Sequence, residues 1–192
     1  MAVPNKAIKQ RAPRNRTLDV SGSERANLRR FLIRRVDPAK FPDHAFVHAD
    51  AFKTLAKLPR ASFDLLFADP PYNLTKSFGK EKFRQTESET YERWLDSWLS
   101  TCAPLLKPTA SIYICGDWRS SAAVQRAGSK YFKLQNRITW EREKGRGAKR
   151  NWKNAAEDIW FFTVSDKFTF NLEKVKQRRR VLAPYRENGM PK

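Results

Sequence analysis

Apolar residues along this chain fall into short runs with two distinct spacings. From Ser62 to Ala68 (SFDLLFA) the run is nearly continuous, which predicts a strand covered on both faces and central in a parallel sheet. Ala110–Cys115 (ASIYIC) predicts another buried strand. Between them, Tyr91, Trp94, Leu95, Trp98, Leu99, Cys102, Leu105 and Leu106 keep the i, i+3, i+4, i+7 spacing of a helix face. Thr86 with Glu89 fits a capping box at its start, and Pro108 stops it. Phe46-Val47-His48 predicts a short strand, followed by Asp50 and a helical stretch over 51–58 closed by Pro59. Gly116-Asp117 turns into a helix over 118–127, Phe132–Trp140 alternates like a strand, and Ile159–Val164 is one more apolar strand. Upstream, Leu28, Phe31, Leu32 and Val36 predict a short basic helix over 24–36, broken by Asp37, Pro38 and Pro42. Strand, helix, strand, helix, strand in this order predicts an α/β sheet with right-handed crossovers. Such sheets take ligands outside the carboxyl ends of their strands, where Asp50 and Asp69 both fall.

Charge refines the layout. The 192 residues carry 39 basic and 20 acidic side chains, a net of +19. Residues 1–40 and 137–192 each hold a net of +8, and 41–136 only +3. The ends are therefore the basic parts. We divide the chain into a basic, partly disordered arm over 1–40, an α/β domain over 41–173 and a basic tail over 174–192. So large an excess favours a polyanionic partner, nucleic acid first and an anionic membrane surface second. No run approaches the ~20 apolar residues of a membrane span, and residues 1–16 lack the apolar core of a signal peptide. Cytoplasmic residence and no membrane partner are the expectations. Cys102 and Cys115 are expected to be reduced core residues. With His44 and His48 the only histidines, no metal site is expected.

The candidate chemistry lies at Asp69-Pro70-Pro71-Tyr72, directly after the strand 62–68. An exact match to this tetrapeptide arises by chance in roughly one chain per thousand. The plain alternative is a rigid turn that Asp69 caps. The chemical reading starts from the exocyclic amine of adenine or cytosine, a poor nucleophile because its lone pair is delocalised into the ring. A carboxylate accepting one N–H and a backbone carbonyl accepting the other draw that nitrogen towards tetrahedral geometry. Asp69 offers the carboxylate and Pro70 the carbonyl. Two consecutive prolines fix φ and remove competing N–H donors. Tyr72 offers a flat face for a base taken out of the duplex, where stacking is worth about 1–3 kcal/mol.

The stretch Val47-His48-Ala49-Asp50-Ala51-Phe52, then Leu55, Leu58-Pro59 and Ser62 through Leu74, closely resembles the amino-methyltransferases of the β arrangement. These are S-adenosylmethionine-dependent enzymes of nucleic acids, often found in restriction–modification systems and phages. The resemblance continues through Trp94 and Trp98, Ser111–Cys115, Asn154–Phe162 and Phe168–Phe170, covering about residues 45 to 190. It implies a partial Rossmann-like methyltransferase sheet, incomplete at its C-terminal side, acting on adenine N6 in double-stranded DNA. Asp69 and Pro70 would bind the amine, with Pro71 stiffening the loop, Tyr72 stacking on the base, and Asp69 also facing the donor's methionine end. Asp50, with the backbone of Ala51 and Phe52, would contact the cofactor's adenine; on a plainer reading Asp50 is a helix N-cap. Asn154 and Glu157 match a late motif that shapes the base pocket, although the family often has His where this chain has Ala156.

The family's Phe-x-Gly-x-Gly cofactor loop is not found before Lys192, and Gly145-x-Gly147 lies in a basic loop with no helix behind it. The expectation is a catalytic portion that works with a second chain or a C-terminal half carrying that loop, with weak or no methyl transfer alone. Lys144, Arg146, Lys149, Arg150 and Lys153, around Trp152 in the stretch 141–153, are candidate phosphate contacts; the plain reading is a solvated charged loop. Two rival functions remain. One is methylation of cytosine N4, which Ser rather than Asp at the first position would favour. The other is a non-catalytic basic nucleic-acid-binding remnant of such an enzyme.

Overall fold

A computed structural model describes residues 20–78, 81–146, 150, 152–176, 186–188 and 190–191. The basic arm up to residue 19 and most of the basic tail lie outside the described residues. The chain divides into two units, residues 1–57 and 58–192.

In the first unit, α1 (Gly22–Leu28) starts from a reciprocal capping box between Ser21 and Glu24. It does not extend to Val36 as the spacing predicts. A single 3-10 turn follows over Arg29–Phe31, and Leu32–Ile33 is a strand, β1, parallel to β2 (Phe46–Val47). In a continuous helix Arg25 with Arg29 and Arg30 with Arg34 would be like-charged i, i+4 pairs, and β-branched Ile33 fits a strand better than a helix. The His48 N–H donates to Ile33 O at 2.9 Å and ties the pair. Helix α2 (Ala51–Leu55) is shorter than expected and is capped by Asp50, whose carboxylate accepts the Lys53 N–H at 3.1 Å.

The second unit is built on a four-stranded sheet. Strand β3 (Phe63–Ala68) pairs in parallel with β6 (Leu106–Gly116), which lies antiparallel to β8 (Asn154–Thr163), and β8 is antiparallel to β7 (Lys133–Arg146); the order is β3-β6-β8-β7. A short hairpin, β4 (Lys76–Phe78) and β5 (Glu81–Phe83), precedes the long helix α3 (Ser88–Cys102). Helix α4 (Ser121–Ser129) joins β6 to β7 and packs on α3 and on β6, β7 and β8. Leu95, Leu99, Ile112, Ile114 and Phe162 are completely buried in this layer, each contributing about 1.5–3 kcal/mol. Cys102 and Cys115 are free and buried, and burial pushes both thiols up to about 11. A short helix, α5 (Leu172–Val175), and a small hairpin of β9 (Arg186–Glu187) and β10 (Met190–Pro191) follow. Among the described residues, no helix is long and apolar enough to cross a membrane.

Four further local expectations differ from the structure. The helix face predicted to run to Leu106 ends at Cys102, since Ala103–Leu105 form a 3-10 turn with Pro104 and β6 begins at Leu106. Strand β3 sits at one edge of the sheet, with Leu65 56% and Phe67 58% exposed, rather than central and covered on both faces. Its residues Leu66 and Ala68 turn to the helix-covered face with Ile112 and Ile114, while Leu65 and Phe67 share the opposite face with Tyr113. The capping box at Thr86 does not form, because Asn73 Oδ1 takes both the Thr86 N–H at 2.8 Å and its hydroxyl at 3.2 Å, and Glu87 becomes the N-cap. The stretch 141–153 is not all loop: β7 runs to Arg146 and β8 starts at Asn154. Cross-strand partners explain this, since Arg137 lies 3.6 Å from Asp158 and Arg142 pairs with Glu157.

Gly128, near the end of α4, packs against the ring of Phe162, which a Cβ there would approach to 2.5 Å. In a solvated helix, Gly→Ala stabilises by about 1 kcal/mol. Here the ring has no room to retreat, so Gly128→Ala should destabilise by about 1–3 kcal/mol. A thermal melt should show a Tm lower by a few degrees, at roughly 2–4 °C per kcal/mol; a raised Tm would refute this packing.

Candidate active site

Strand β3 runs out at Ala68, opposite Ile114 of the parallel β6, so Asp69-Pro70-Pro71-Tyr72 leaves the sheet at its carboxyl end beside Cys115 and Gly116. Pro70 and Pro71 have no N–H and cannot anchor the loop as donors. Neighbouring elements do it instead. From α3, the Tyr91 hydroxyl donates to Pro71 O at 3.0 Å. The Asn73 N–H donates to Ser120 Oγ at 3.1 Å, and the Asn73 side chain clasps Thr86, its Nδ2 donating to Thr86 O at 2.8 Å. Ser120 is 1% exposed and is itself set by Asp117, whose Oδ1 accepts the Ser120 N–H at 2.8 Å. The loop is thus held from the start of α3 and from the turn before α4.

Tyr72 is half-buried, with its hydroxyl 3.4 Å from Glu157 Oε2 on β8. Glu157 also pairs with Arg142 of β7. Burial raises the Tyr72 phenol far above its ordinary range, and the negative charges of Asp69 and Glu157 push it further, as does a hydrogen bond to Asp69. Tyr72 therefore stays a neutral ring well into the alkaline range. Tyr91 is shifted the same way, first by burial and then by the charge of Asp117, with a Ser120 hydrogen bond opposing.

The other candidate residues fall in several places. Asn154 starts β8, where its Oδ1 accepts the Ala156 N–H at 2.9 Å. Strand alternation puts it on the face opposite Glu157, and it is Glu157 whose contacts reach Tyr72. Asp50, Ala51 and Phe52 belong to the first unit. There Asp50 lines a cleft of about 480 Å³ with Arg34, Arg35, Lys53, Thr54 and Lys57. Lys144 and Arg146 lie on β7, and Lys149 lies outside the described residues. Arg150 and Lys153 are exposed, and Trp152 between them is 96% exposed.

Sequence reasoning missed Tyr91, Ser120 and Arg142. Tyr91 reads as one more apolar helix position, and its 6% exposure agrees with that; only its hydroxyl contact gives it a second role. Arg142 was legible only as loop charge until the β7–β8 register set it beside Glu157.

The profile of a DNA methylase family of N6/N4 type matches residues 63–188. The chain is 30% identical over 161 residues to the DNA adenine methyltransferase YhdJ of Escherichia coli, across 79% of this chain and 54% of that protein. It is 31% identical over 142 residues to the type II methyltransferase M.HpaI of Haemophilus parainfluenzae, across 70% of this chain and 43% of that one. Among solved structures, the PvuII DNA methyltransferase (cytosine-N4-specific) superposes with a TM-score of 0.54 at 19% identity, covering 68% of this chain and 52% of that one. That likeness is one of fold. The chain spans about half the length of the curated relatives it matches.

Because both tyrosines hold their protons more tightly when folded, the stability they lend is full below the ordinary tyrosine value of about 10 and declines as pH rises beyond it. Tyr91→Phe should cost about 0.5–1.5 kcal/mol at neutral pH for the missing bond to Pro71 O and should make the alkaline decline shallower. Urea melts at pH 7 and pH 11 measure both; an unchanged alkaline decline would rule out Tyr91 as one of its sources.

Proposed function

Given that the chain belongs to the N6/N4 DNA methylase family, we propose that it carries the base-binding and catalytic portion of an enzyme transferring methyl groups from S-adenosylmethionine to adenine N6 in DNA. The observation that carries the reading is the Asp69–Tyr72 loop at the carboxyl end of β3, braced by Tyr91 and Asn73 and linked through Tyr72 to Glu157. An extruded adenine stacks on Tyr72, its amine donating one N–H to the Asp69 carboxylate and the other to Pro70 O. The lone pair is then drawn out of conjugation and available to a methyl electrophile. Stacking and fixed acceptors supply orientation and electrostatics, with no covalent intermediate on the protein.

The residues present suit the cofactor. Asp69 and Glu157 place two carboxylates around Tyr72, a negative field matched to a sulfonium cation. S-adenosylmethionine, when bound, supplies that sulfonium-activated methyl group. Asp69 would face its methionine end, and Asp50 with the backbone of Ala51 and Phe52 would hold its adenine. A second chain or further segment bearing a glycine-rich loop would complete that site. Asn154, across the strand from Glu157, would shape that pocket only indirectly, through the start of β8.

Adenine is favoured over cytosine N4 by Asp at the first position and by the 30% identity to a protein named a DNA adenine methyltransferase. Lys144, Arg146, Lys149, Arg150 and Lys153 contact backbone phosphates, consistent with a net charge of +19. Cytoplasmic residence, where DNA substrate and reduced Cys102 and Cys115 would coexist, belongs to the same proposal.

Nucleoside mass spectrometry of DNA from cells expressing this chain with a chain that bears a glycine-rich cofactor loop should show N6-methyladenine. Asp69→Ala should cut it by more than about a hundredfold, the scale of removing one electrostatic stabiliser of a transition state. N4-methylcytosine as product, or full methylation by Asp69→Ala, would overturn the assignment. Duplex affinity should fall steeply with salt, and Arg150→Ala with Lys153→Ala should reduce the log–log slope by about 0.9 for each phosphate left unneutralised. A flat salt response would make this region a solvated loop.

A further inference from the structure

Beside the catalytic loop lies a cleft of about 420 Å³ that methyl transfer at Asp69–Tyr72 does not use. Trp118 and Arg119, just past the carboxyl end of β6, line it, together with Asn73, Gln85, Glu87 and Ser88. Its volume falls within the range of about 300–1,000 Å³ typical of small-ligand sites.

Three observations converge on one kind of occupant. Trp118 is 60% exposed, in a short turn fixed on either side by buried Gly116 and Ser120. The Arg119 guanidinium covers one face of its ring, 5.0 Å from the centroid, which leaves the other face as the accessible one. The cleft is also continuous with the catalytic loop. Asn73, one of its walls, follows Tyr72 directly, and its N–H is bonded to Ser120 at 3.1 Å. A flat aromatic face backed by a guanidinium suits a stacked base with its phosphate. The Gln85 amide, Ser88 hydroxyl and Glu87 carboxylate on the rim supply donors and acceptors for a base edge. The Glu87 charge also disfavours a bare phosphate buried in the cleft.

We propose that this cleft is a second nucleotide site, taking the residue next to the extruded target, with its base stacked on Trp118 and its phosphate on Arg119. The inference rests on the reading that Tyr72 receives an extruded base. It gives Trp118 a role in choosing the target's neighbour: unstacking that neighbour is repaid by the indole, and the rim reads its edge.

The test is fluorescence anisotropy of the full chain with oligo(dA) and with an abasic sugar–phosphate oligomer of equal length. Wild type should prefer oligo(dA). Trp118→Ala should weaken oligo(dA) binding about tenfold, in the range set by the stacking of one base, and leave the abasic oligomer unaffected, whereas Trp118→Phe should retain most of the preference. Arg119→Ala should weaken both and flatten the salt dependence by roughly one phosphate. Equal binding of oligo(dA) by wild type and Trp118→Ala, equal losses on both oligomers, or no base preference in wild type would each overturn the site. Tyr72→Ala reports on the parent reading separately. Its base-specific loss without one in Trp118→Ala rejects the cleft alone, and the reverse rejects extrusion onto Tyr72 while leaving the stacking site standing.

Discussion

Two adjacent prolines at the end of a strand cannot hydrogen-bond themselves into place, and the rest of this unit is organised around that fact. The loop after β3 has carbonyls to offer but lacks two N–H groups, so its position is imposed from outside. The Tyr91 hydroxyl reaches Pro71 O from α3, and Asn73 joins the loop to Thr86 on one side and to Ser120 on the other. Those anchors are only as rigid as the helices that carry them. Leu95 and Leu99 of α3 and Val124 of α4 are completely buried, so core packing far from Asp69 sets where the loop stands.

The electrostatic arrangement follows from the same placement. Asp69, Glu157 and the Tyr72 hydroxyl gather at the sheet end, and burial with two nearby carboxylates keeps that phenol protonated. Arg142 is half-exposed beside Glu157, so its pairing contributes little stability, on the order of 0–1 kcal/mol. Its effect is directional: it holds Glu157, and Glu157 faces Tyr72.

The sheet is covered unevenly. Helix α4 packs on the face that carries Ile112, Ile114 and Phe162. On the other face a row of rings, Phe67, Tyr113 and Phe161, crosses three strands, and Phe168 and Phe170 close only its β8 end. Tyr113 and Phe161 stack nearly parallel at 4.7 Å. The row lends the sheet lateral cohesion across these three strands.

The sequence by itself singled out the candidate chemistry: Asp69, the two prolines and Tyr72 stand out as a rigid, donor-poor turn directly after an apolar strand. It also showed most of α3 and the strand stretches 63–68 and 110–115 through their local apolar spacing, whereas Leu105 and Leu106 read as helix and belong instead to a 3-10 turn and to β6. Tertiary structure decided the rest. Leu65 and Phe67 read as covered, yet stand exposed, because an apolar run records hydrophobicity and not position within the sheet. Thr86 reads as a cap and serves Asn73 instead, because a side chain can meet only one of two competing demands. Arg142, Tyr91 and Ser120 acquired their places only through pairing across strands and helices. Contacts between residues distant in the chain depend on geometry that no local pattern encodes.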